Sequence, residues 1–404
     1  MRYGVPYQGS KNKICKWVID NLPSGNVLVD LFAGGCSVTH AAMLSGKWDY
    51  FIANDIGDAP EVFINAIEGK YAAENRWISR EDFERLKDTD PYVSLCWSFG
   101  NDRSNYLYAQ EVEPWKKALH YARIFGDTSL LREMGIDSDG SSTDIQKHHD
   151  EYKDKYIRWW LSRQKYTPAE LDELMANVKA DIERDKEELR QYLIDALKKS
   201  GLTQAEVQRR LGTQMAGHYF GRNQWQFPTQ EMYEKMQEFM PLKTDYNEIV
   251  GLYRLRQRLQ SLERLQSLES LERLQSLERL QSLERLQSLE NYKNLIITQK
   301  YYTELVIPDS AIVYADPPYK GTDIKGYLCQ FDYEQFERWL EAVPFMVIVS
   351  EYTAPAGCVE IASIKKQCLR SPTNTGGTTT EKLFVQERFL KQYNEMREQQ
   401  RIEI

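Results

Sequence analysis

Several features that define a protein class on their own are missing from this sequence. No run approaches the roughly 18 apolar residues that a membrane-spanning helix needs, and the first residues contain no apolar signal core. The six cysteines form no CxxC pair and do not cluster with the five histidines, which argues against disulfide scaffolds and structural zinc sites. We expect a cytoplasmic, monomeric protein that binds neither a membrane nor a metal.

Positive charge is also scarce. The 404 residues include 52 Lys and Arg against 60 Asp and Glu, which gives a net charge of −8. Bulk positive charge therefore cannot attract nucleic acid, and any such contact must come from local patches. A hydrophobic fraction of 42% is enough for one large core or two modest ones, so disorder is excluded as the main description.

A repeated hexapeptide divides the chain. From Leu259 to Glu290 the unit Arg-Leu-Gln-Ser-Leu-Glu recurs, and leucine occupies every third position. Three residues advance about 300° on an α-helix, so this leucine stripe circles the helix and encodes no heptad coiled coil. The residue types favour a helix, and a short β-solenoid is the competing geometry. We interpret the segment as a spacer rather than a partner-binding surface.

The rest of the chain predicts an α/β protein with a helical insertion. Before the repeat, an apolar strand at Val27–Phe32, a glycine turn, a helix from Ser37 and a second strand at Tyr50–Ala53 form a βαβ unit. Residues 140–250 are highly charged and helical in pattern. The strand pattern returns later, at Asn294–Ile297, Ala311–Ala315, Phe345–Ser350 and Lys382–Gln386.

These patterns predict four segments. They are residues 1–125 and 291–404 as two halves of one α/β domain, 126–250 as a helical target-recognition module, and 251–290 as the repeat spacer.

The strongest chemical signal follows one of the later strands. The strand Ile312–Ala315 delivers the carboxylate of Asp316 to its C-terminal end. Pro317 and Pro318 then fix an extended backbone, and Tyr319 follows. An amino group on a heteroaromatic ring is a poor nucleophile, and hydrogen bonds from it to Asp316 and the Pro317 carbonyl would localise its lone pair. Tyr319 would stack on the ring. A functionless strand and proline turn is the alternative.

A glycine turn carries the second signal. Gly34 and Gly35 would let the backbone approach a ligand, and Asp30 at the preceding strand end could hold a cationic amine. The phosphate-binding patterns GxGxxG and GxxxxGK[ST] are both absent. Asp55, at the end of the second strand, suits the hydroxyl groups of a ribose, and a surface turn acid is the alternative.

Together with Tyr7-Gln8-Gly9-Ser10-Lys11, these motifs resemble the alpha-class adenine-N6 DNA methyltransferases of the Dam and DpnM type. The motif order is similar too: cofactor motifs first, a target-recognition region next, and the DPPY motif last. Cys36 stands where that family often has glycine. The resemblance implies a Rossmann-like AdoMet-dependent methyltransferase sheet, where AdoMet is S-adenosylmethionine, that methylates N6 of an adenine flipped out of double-stranded DNA.

The resemblance also implies roles for individual residues. The AdoMet pocket would contain Tyr7, Lys11, Asp30, Phe32, Ala33, Gly34 and Asp55. The flipped adenine would be held by Asp316, Pro317, Pro318 and Tyr319.

Part of the charged region resembles a helix-turn-helix. Thr203 would cap a first helix, Gly212 would make the turn, and a second short helix would begin near Thr213. Five basic residues stand against one acid between positions 198 and 226. A helical hairpin in a packed subdomain is the alternative. The expected DNA contacts are Gln214, His218 and Arg222 in the major groove, with Arg209 and Arg210 at phosphates.

Three weaker signals remain. The loop Cys96–Leu107 combines aromatic rings, amides and Arg103, and would lie at the cofactor or at DNA. Ser350-Glu351-Tyr352 ends a strand at the same edge as Asp316 if the two strands are parallel. The pair His148-His149 is more typical of a solvated surface than of a metal site.

Other functions stay open at this point. The same fold can methylate cytosine N4, RNA or a protein glutamine, although those relatives more often have Ser or Asn in place of Asp316. A DNA-binding regulator built on an inactive methyltransferase core is a second alternative, against which the intact Asp316 and the Gly34-Gly35 turn argue.

Overall fold

The computed structural model describes residues 3–163, 178–222, 224–263, 274–289, 292–320, 331–368 and 377–402. The chain forms two compact units, which we call the sheet unit (Met1–Tyr108 with Leu274–Ile404) and the helical unit (Ala109–Arg273). These boundaries differ from those expected at 125, 250 and 290. The helix Glu113–Phe125 belongs to the helical unit, and the last part of the repeat belongs to the sheet unit.

The sheet unit contains a seven-stranded sheet in the order β3-β2-β1-β4-β5-β7-β6. Strands β1 to β5 are parallel where they pair, and β7 is antiparallel to both β5 and β6. The strands are β1 (Val27–Asp30), β2 (Tyr50–Asn54), β3 (Leu295–Thr298), β4 (Ile312–Ala315), β5 (Val347–Glu351), β6 (Cys358–Cys368) and β7 (Gly377–Gln386). The α/β prediction is confirmed.

One strand was not predicted from the sequence. β6 carries apolar residues at Val359 and Ile361, but its pairing register with β7 shifts between Glu360 and Ala362, and the next apolar residue of the strand's pattern is Ile364. A bulge adds one residue to a strand, so the alternation of apolar and polar residues changes phase. The apolar residues of β6 therefore do not follow the period of two that is expected of a strand.

The two faces of the sheet are covered by different cores. Leu28, Tyr314 and Ile348 point into a core that includes the helices α1 (Cys15–Asn21) and α2 (Ser37–Ser45). Val29 and Val313, which alternate with them, point into a second core that includes the helix α16 (Tyr333–Ala342). The described α-helices of the sheet unit are α1 (Cys15–Asn21), α2 (Ser37–Ser45), α3 (Ala59–Ile67), α4 (Arg80–Leu86), α5 (Pro91–Cys96), α15 (Gln275–Glu284), α16 (Tyr333–Ala342) and α17 (Leu390–Ile402).

The strand order brings three carboxylates to one edge of the sheet. β1 and β4 are neighbours, and the chain proceeds from them in opposite directions, to β2 on one side and β5 on the other. Asp30 ends β1, Asp55 follows β2, and Asp316 follows β4. Parallel strands end at the same edge, and a crevice forms where the order reverses.

The end of the hexapeptide repeat is part of the core. Leu280, Leu283, Leu286 and Leu289 are all buried in the core that includes α1 and α2. The α-helix changes to a 3₁₀ helix at Arg285–Ser288. Because a 3₁₀ helix has about three residues per turn, leucines spaced by three stay on one side of it. The spacer interpretation is therefore wrong for residues 274–289, and the described repeat residues are helical.

A repeat arginine also supports a neighbouring helix. Arg279 Nη1 donates to the carbonyl of Cys96 at 2.6 Å and to that of Ser98 at 2.8 Å. These carbonyls lie at the C-terminal end of α5, where a cation is favourable. Residues 264–273 of the repeat lie outside the described residues.

The described helical unit contains α-helices only. They are α6 (Glu113–Phe125), α7 (Ser129–Glu133), α8 (Ser142–Lys147), α9 (His149–Ser162), α10 (Val178–Ser200), α11 (Gln204–Leu211), α12 (Ala216–Phe220), α13 (Gln230–Gln237) and α14 (Tyr246–Glu263). A buried ion pair joins two of them, because Arg256 Nη1 on α14 lies 2.6 Å from both carboxylate oxygens of Asp185 on α10.

We expect Leu283→Ala to lower the free energy of unfolding by about 2–5 kcal/mol, because it leaves a cavity in the sheet-unit core. Leu44→Ala is the matched control, since Leu44 on α2 is 51% exposed and should change stability by only about 0.5 kcal/mol. Urea unfolding of both variants measures the difference. Equal losses in the two variants would contradict a core role for the repeat.

Candidate active site

The N-terminal segment lies directly on the glycine turn. The amide of Val5 donates to the Gly35 carbonyl at 2.8 Å, and the amide of Gly4 donates to Nδ1 of His40 at 3.0 Å. Burial lowers the pKa of His40 to about 4, so the ring is neutral and can accept this bond. Gly4 has φ +65°, and a Cβ there would lie 2.1 Å from the Gly35 oxygen. Only glycine fits at this position.

The turn itself packs against Tyr7. A Cβ on Gly34 would lie 2.7 Å from the Tyr7 ring, and one on Gly35 would lie 2.6 Å from the Tyr7 Cβ. Cys36, at the position where the family often has glycine, is buried and adopts the left-handed region with φ +55°. The chain thus keeps a glycine-like backbone there with a small side chain.

A cleft of about 1040 Å³, a volume that includes its open mouth, lies at this edge of the sheet. All seven residues that the resemblance implies for a cofactor pocket line it: Tyr7, Lys11, Asp30, Phe32, Ala33, Gly34 and Asp55. Asp316 and Pro318 line it as well. Pro317 and Tyr319 are not among the lining residues.

Two carboxylates of the cleft are held by the surrounding backbone. Asp30 Oδ2 accepts from the amide of Thr39 at 3.1 Å and from its hydroxyl at 2.7 Å. Asp55 accepts from the amides of Gly34 at 2.8 Å and Gly57 at 2.7 Å. Burial raises the pKa of Asp30 to about 7, against the opposing effect of Thr39. Burial also raises the pKa of Asp55. Both groups would be stabilised by a ligand that brings positive charge or hydrogen-bond donors.

Lys11 joins the cleft to the DPPY motif. Its Nζ lies 2.7 Å from Asp316 Oδ1 and 3.4 Å from Glu381 Oε1, and all three side chains are largely buried. Burial alone would lower the pKa of Lys11, but the charges of Asp316 and Glu381 outweigh burial and raise it. Lys11 is therefore a cation that two carboxylates share.

Tyr319 lies beside this cluster rather than along the cleft. Its hydroxyl contacts the Glu381 carboxylate and lies 2.8 Å from Ser350 Oγ. The Tyr352 ring meets it edge to face at 4.6 Å, and Lys11 Nζ lies 4.5 Å from its ring centroid. The residue is only 8% exposed. Stacking of Tyr319 on a base thus stays a prediction, and the ring is packed in the protein here.

One functional candidate, Glu381, was missed at the sequence level. Glu381 lies on β7 with the buried Leu383 and Val385, at alternating positions of one strand, so an acid on an apolar face was the available signal. Arg103, in the predicted loop, lines the cleft and lies 2.5 Å from Asp58. Glu351, from the predicted strand end, accepts from the amide of Lys320 at 2.7 Å.

The predicted DNA-contacting residues lie in the helical unit. Thr203 caps α11 through a capping box with Glu206, and Gly212 ends the helix with φ +63°. The second helix, α12, begins at Ala216 rather than near Thr213 and has only 5 residues. The exposed side chains are Gln214, Arg209, Arg210 and Arg222, and His218 is half-buried. Gln214 therefore lies in the turn, before α12.

No described helix is long and apolar enough to span a membrane. Within the same residues, no group of three or more His, Cys, Asp or Glu side chains could hold a metal ion.

A sheet of this order, with its cleft where the strand order reverses, defines a Rossmann-like methyltransferase fold. Residues 7–126 match the family model of the D12 class N6 adenine-specific DNA methyltransferases. No curated protein matched the chain. The domain match supports an adenine-specific DNA methyltransferase, a class of enzyme whose substrate is DNA.

We expect Asp30→Asn to stabilise the free protein at pH 8 but not at pH 4. Between pH 3.8 and about 7 the folded state retains a proton that the unfolded state releases, so stability is lost as pH rises towards 7. Asparagine does not titrate, and the gain at pH 8 should be on the order of 2–4 kcal/mol. The same change should weaken binding of a cationic ligand.

The measurement is chemical denaturation of wild type and variant at both pH values. Asp49→Asn, at an exposed position before β2, is the matched control and should show no such dependence on pH. A gain of equal size at pH 4 and pH 8 would contradict the ionisation of a buried Asp30.

Proposed function

We propose that the protein transfers the methyl group of AdoMet to N6 of an adenine that is flipped out of double-stranded DNA. One observation carries this proposal: Asp316 of the DPPY motif lines the same cleft as Asp30 and Asp55. A carboxylate suited to an aromatic amine and two carboxylates suited to a nucleoside with a cationic tail thus share one cavity.

The residues of the cleft fit AdoMet chemically. Asp30, buried and with its pKa raised to about 7, would be stabilised by the ammonium group of the methionine part. Asp55 keeps lone pairs beyond its two backbone bonds and could accept from ribose hydroxyls. Phe32 offers an apolar wall, packed against Tyr302 at 5.5 Å. Bound AdoMet would supply a methyl group on a positively charged sulfur, which leaves as a neutral thioether.

The chain's own part in the reaction is to hold the amine. Asp316 and the Pro317 carbonyl would accept hydrogen bonds from the two N–H groups of the amine. These bonds keep the nitrogen lone pair out of the ring and directed at the methyl group. A new N–C bond forms while the C–S bond breaks, and the nitrogen must then lose one proton. Asp316, which would already accept a hydrogen bond from this nitrogen, is the carboxylate placed to take that proton.

The amine of a paired adenine is not accessible, so the base must leave the helix stack. The sheet-unit cleft is the cavity that would receive it. We assign sequence selection to the helical unit, where α11, the Gly212 turn and α12 carry exposed basic and amide side chains.

We expect Asp316→Ala to reduce methyl transfer by at least about 100-fold while AdoMet binding is retained. The fold should persist, because Lys11 keeps Glu381 as a partner. Transfer of labelled methyl groups to DNA measures the rate, calorimetry measures binding, and Asp49→Ala serves as control. Adenine methylation in DNA from cells that express either protein gives the target motif. Unchanged turnover in Asp316→Ala would overturn this site.

We expect the double change Arg209→Ala and Arg210→Ala to weaken DNA binding and to reduce the salt slope of log K by about 2, one for each lost phosphate contact. Arg158→Ala, whose side chain is 58% exposed on α9 and paired with Asp154, is the matched control. Binding is measured by fluorescence anisotropy at several salt concentrations. A salt slope equal to that of wild type would contradict a contact between DNA and the helix pair α11 and α12.

A further inference from the structure

Glu381 is a buried charge that neither the family match nor the sequence motifs account for. Its side chain has 0% exposure, on strand β7 outside the matched residues 7–126. A carboxylate buried without compensation costs several kcal/mol, so such a residue needs close partners. Its partners here are Lys11 at 3.4 Å, Ser350 Oγ at 3.0 Å and the hydroxyl of Tyr319.

These partners fix Glu381 firmly. Ser350 lies on β5, which pairs with β7 through Ser350 and Leu383. Tyr319 belongs to the DPPY motif, and its hydroxyl also contacts Ser350 at 2.8 Å. The Glu381 carboxylate is therefore held by two strands and by the motif, while Lys11 reaches it from the segment before α1.

Among the described contacts, Lys11 is a cation shared by two carboxylates. Lys11 lies nearer to Asp316, at 2.7 Å, than to Glu381, at 3.4 Å. In methyl transfer the amine nitrogen becomes positively charged, and an ammonium group close to Asp316 would oppose that charge. Asp316 would act best on the amine if Lys11 shifted towards Glu381, which needs only a small movement of one flexible side chain.

We propose that Glu381 is a positioning residue for methyl transfer: it takes over the ammonium group of Lys11 when Asp316 engages the adenine amine. Asp316 then faces the amine with its full negative charge, and Lys11 stays neutralised inside the protein. This inference rests on the proposed function. Glu381 touches neither reactant and acts through Lys11.

The test is a double-mutant cycle with Glu381→Gln and Lys11→Met in the full-length protein. Glutamine keeps the shape and hydrogen bonds of Glu381 but removes the charge. We expect Glu381→Gln to lower the single-turnover rate of methyl transfer to duplex DNA about tenfold, with the Kd for AdoMet changed less than about twofold. In the Lys11→Met background, the same change should alter the rate less than about twofold, because Glu381 acts through Lys11.

Glu360→Gln is the matched control, since Glu360 is a half-exposed residue on β6 that pairs with Lys382 away from the cluster. Thermal unfolding of each variant checks that it is folded, and Glu381→Asp, which restores the charge, should recover part of the rate.

Two results would overturn the inference alone. One is an active wild type whose rate is unchanged by Glu381→Gln, and the other is an equal loss of rate with and without Lys11. A wild type that transfers no methyl group to adenine in DNA would overturn the proposed function, and the inference with it. The two failures are therefore distinguished by the wild-type rate.

Discussion

The ion pair between Lys11 and Asp316 is the interaction on which the arrangement of the site depends. It connects the segment before α1 to the end of β4, two parts of the chain separated by the entire helical unit. Val5 bonds to the Gly35 carbonyl of the glycine turn and Gly4 bonds to His40 on α2, and these two bonds hold the segment that carries Lys11. Cofactor motif and DPPY motif are thereby held as one site.

The charges of the cleft favour the binding of ligands. Asp30, Asp55 and Asp316 line the cleft together with Lys11, Arg103 and Lys300, and the buried Glu381 adjoins it. Burial raises the pKa of all three aspartates. Such an arrangement costs stability in the free protein and favours the binding of cations and hydrogen-bond donors. We interpret these buried carboxylates as a source of binding energy for AdoMet, the positively charged methyl donor that we propose.

Most of the sheet and of the site could be predicted from the sequence, because both depend on local patterns. Apolar runs predicted β1, β2, β4 and β5. Asp30, Asp55 and Asp316, at or just after the ends of three of these strands, line one cleft, and their roles stay predictions. The misses share a cause, since each depends on contacts between distant parts of the chain. The role proposed for Glu381 depends on Lys11, the bulge in β6 on its pairing with β7, and the burial of Leu286 on the change from α-helix to 3₁₀ helix.

The change to a 3₁₀ helix at Arg285–Ser288 also bears on how this gene can vary. The repeat unit and the half-unit Ser270-Leu271-Glu272 are both multiples of three residues. A gain or loss of whole or half units therefore leaves leucine at every third position, including the positions that fill the core at the end of the repeat. The three-residue period therefore preserves the buried leucines when the number of repeat units changes.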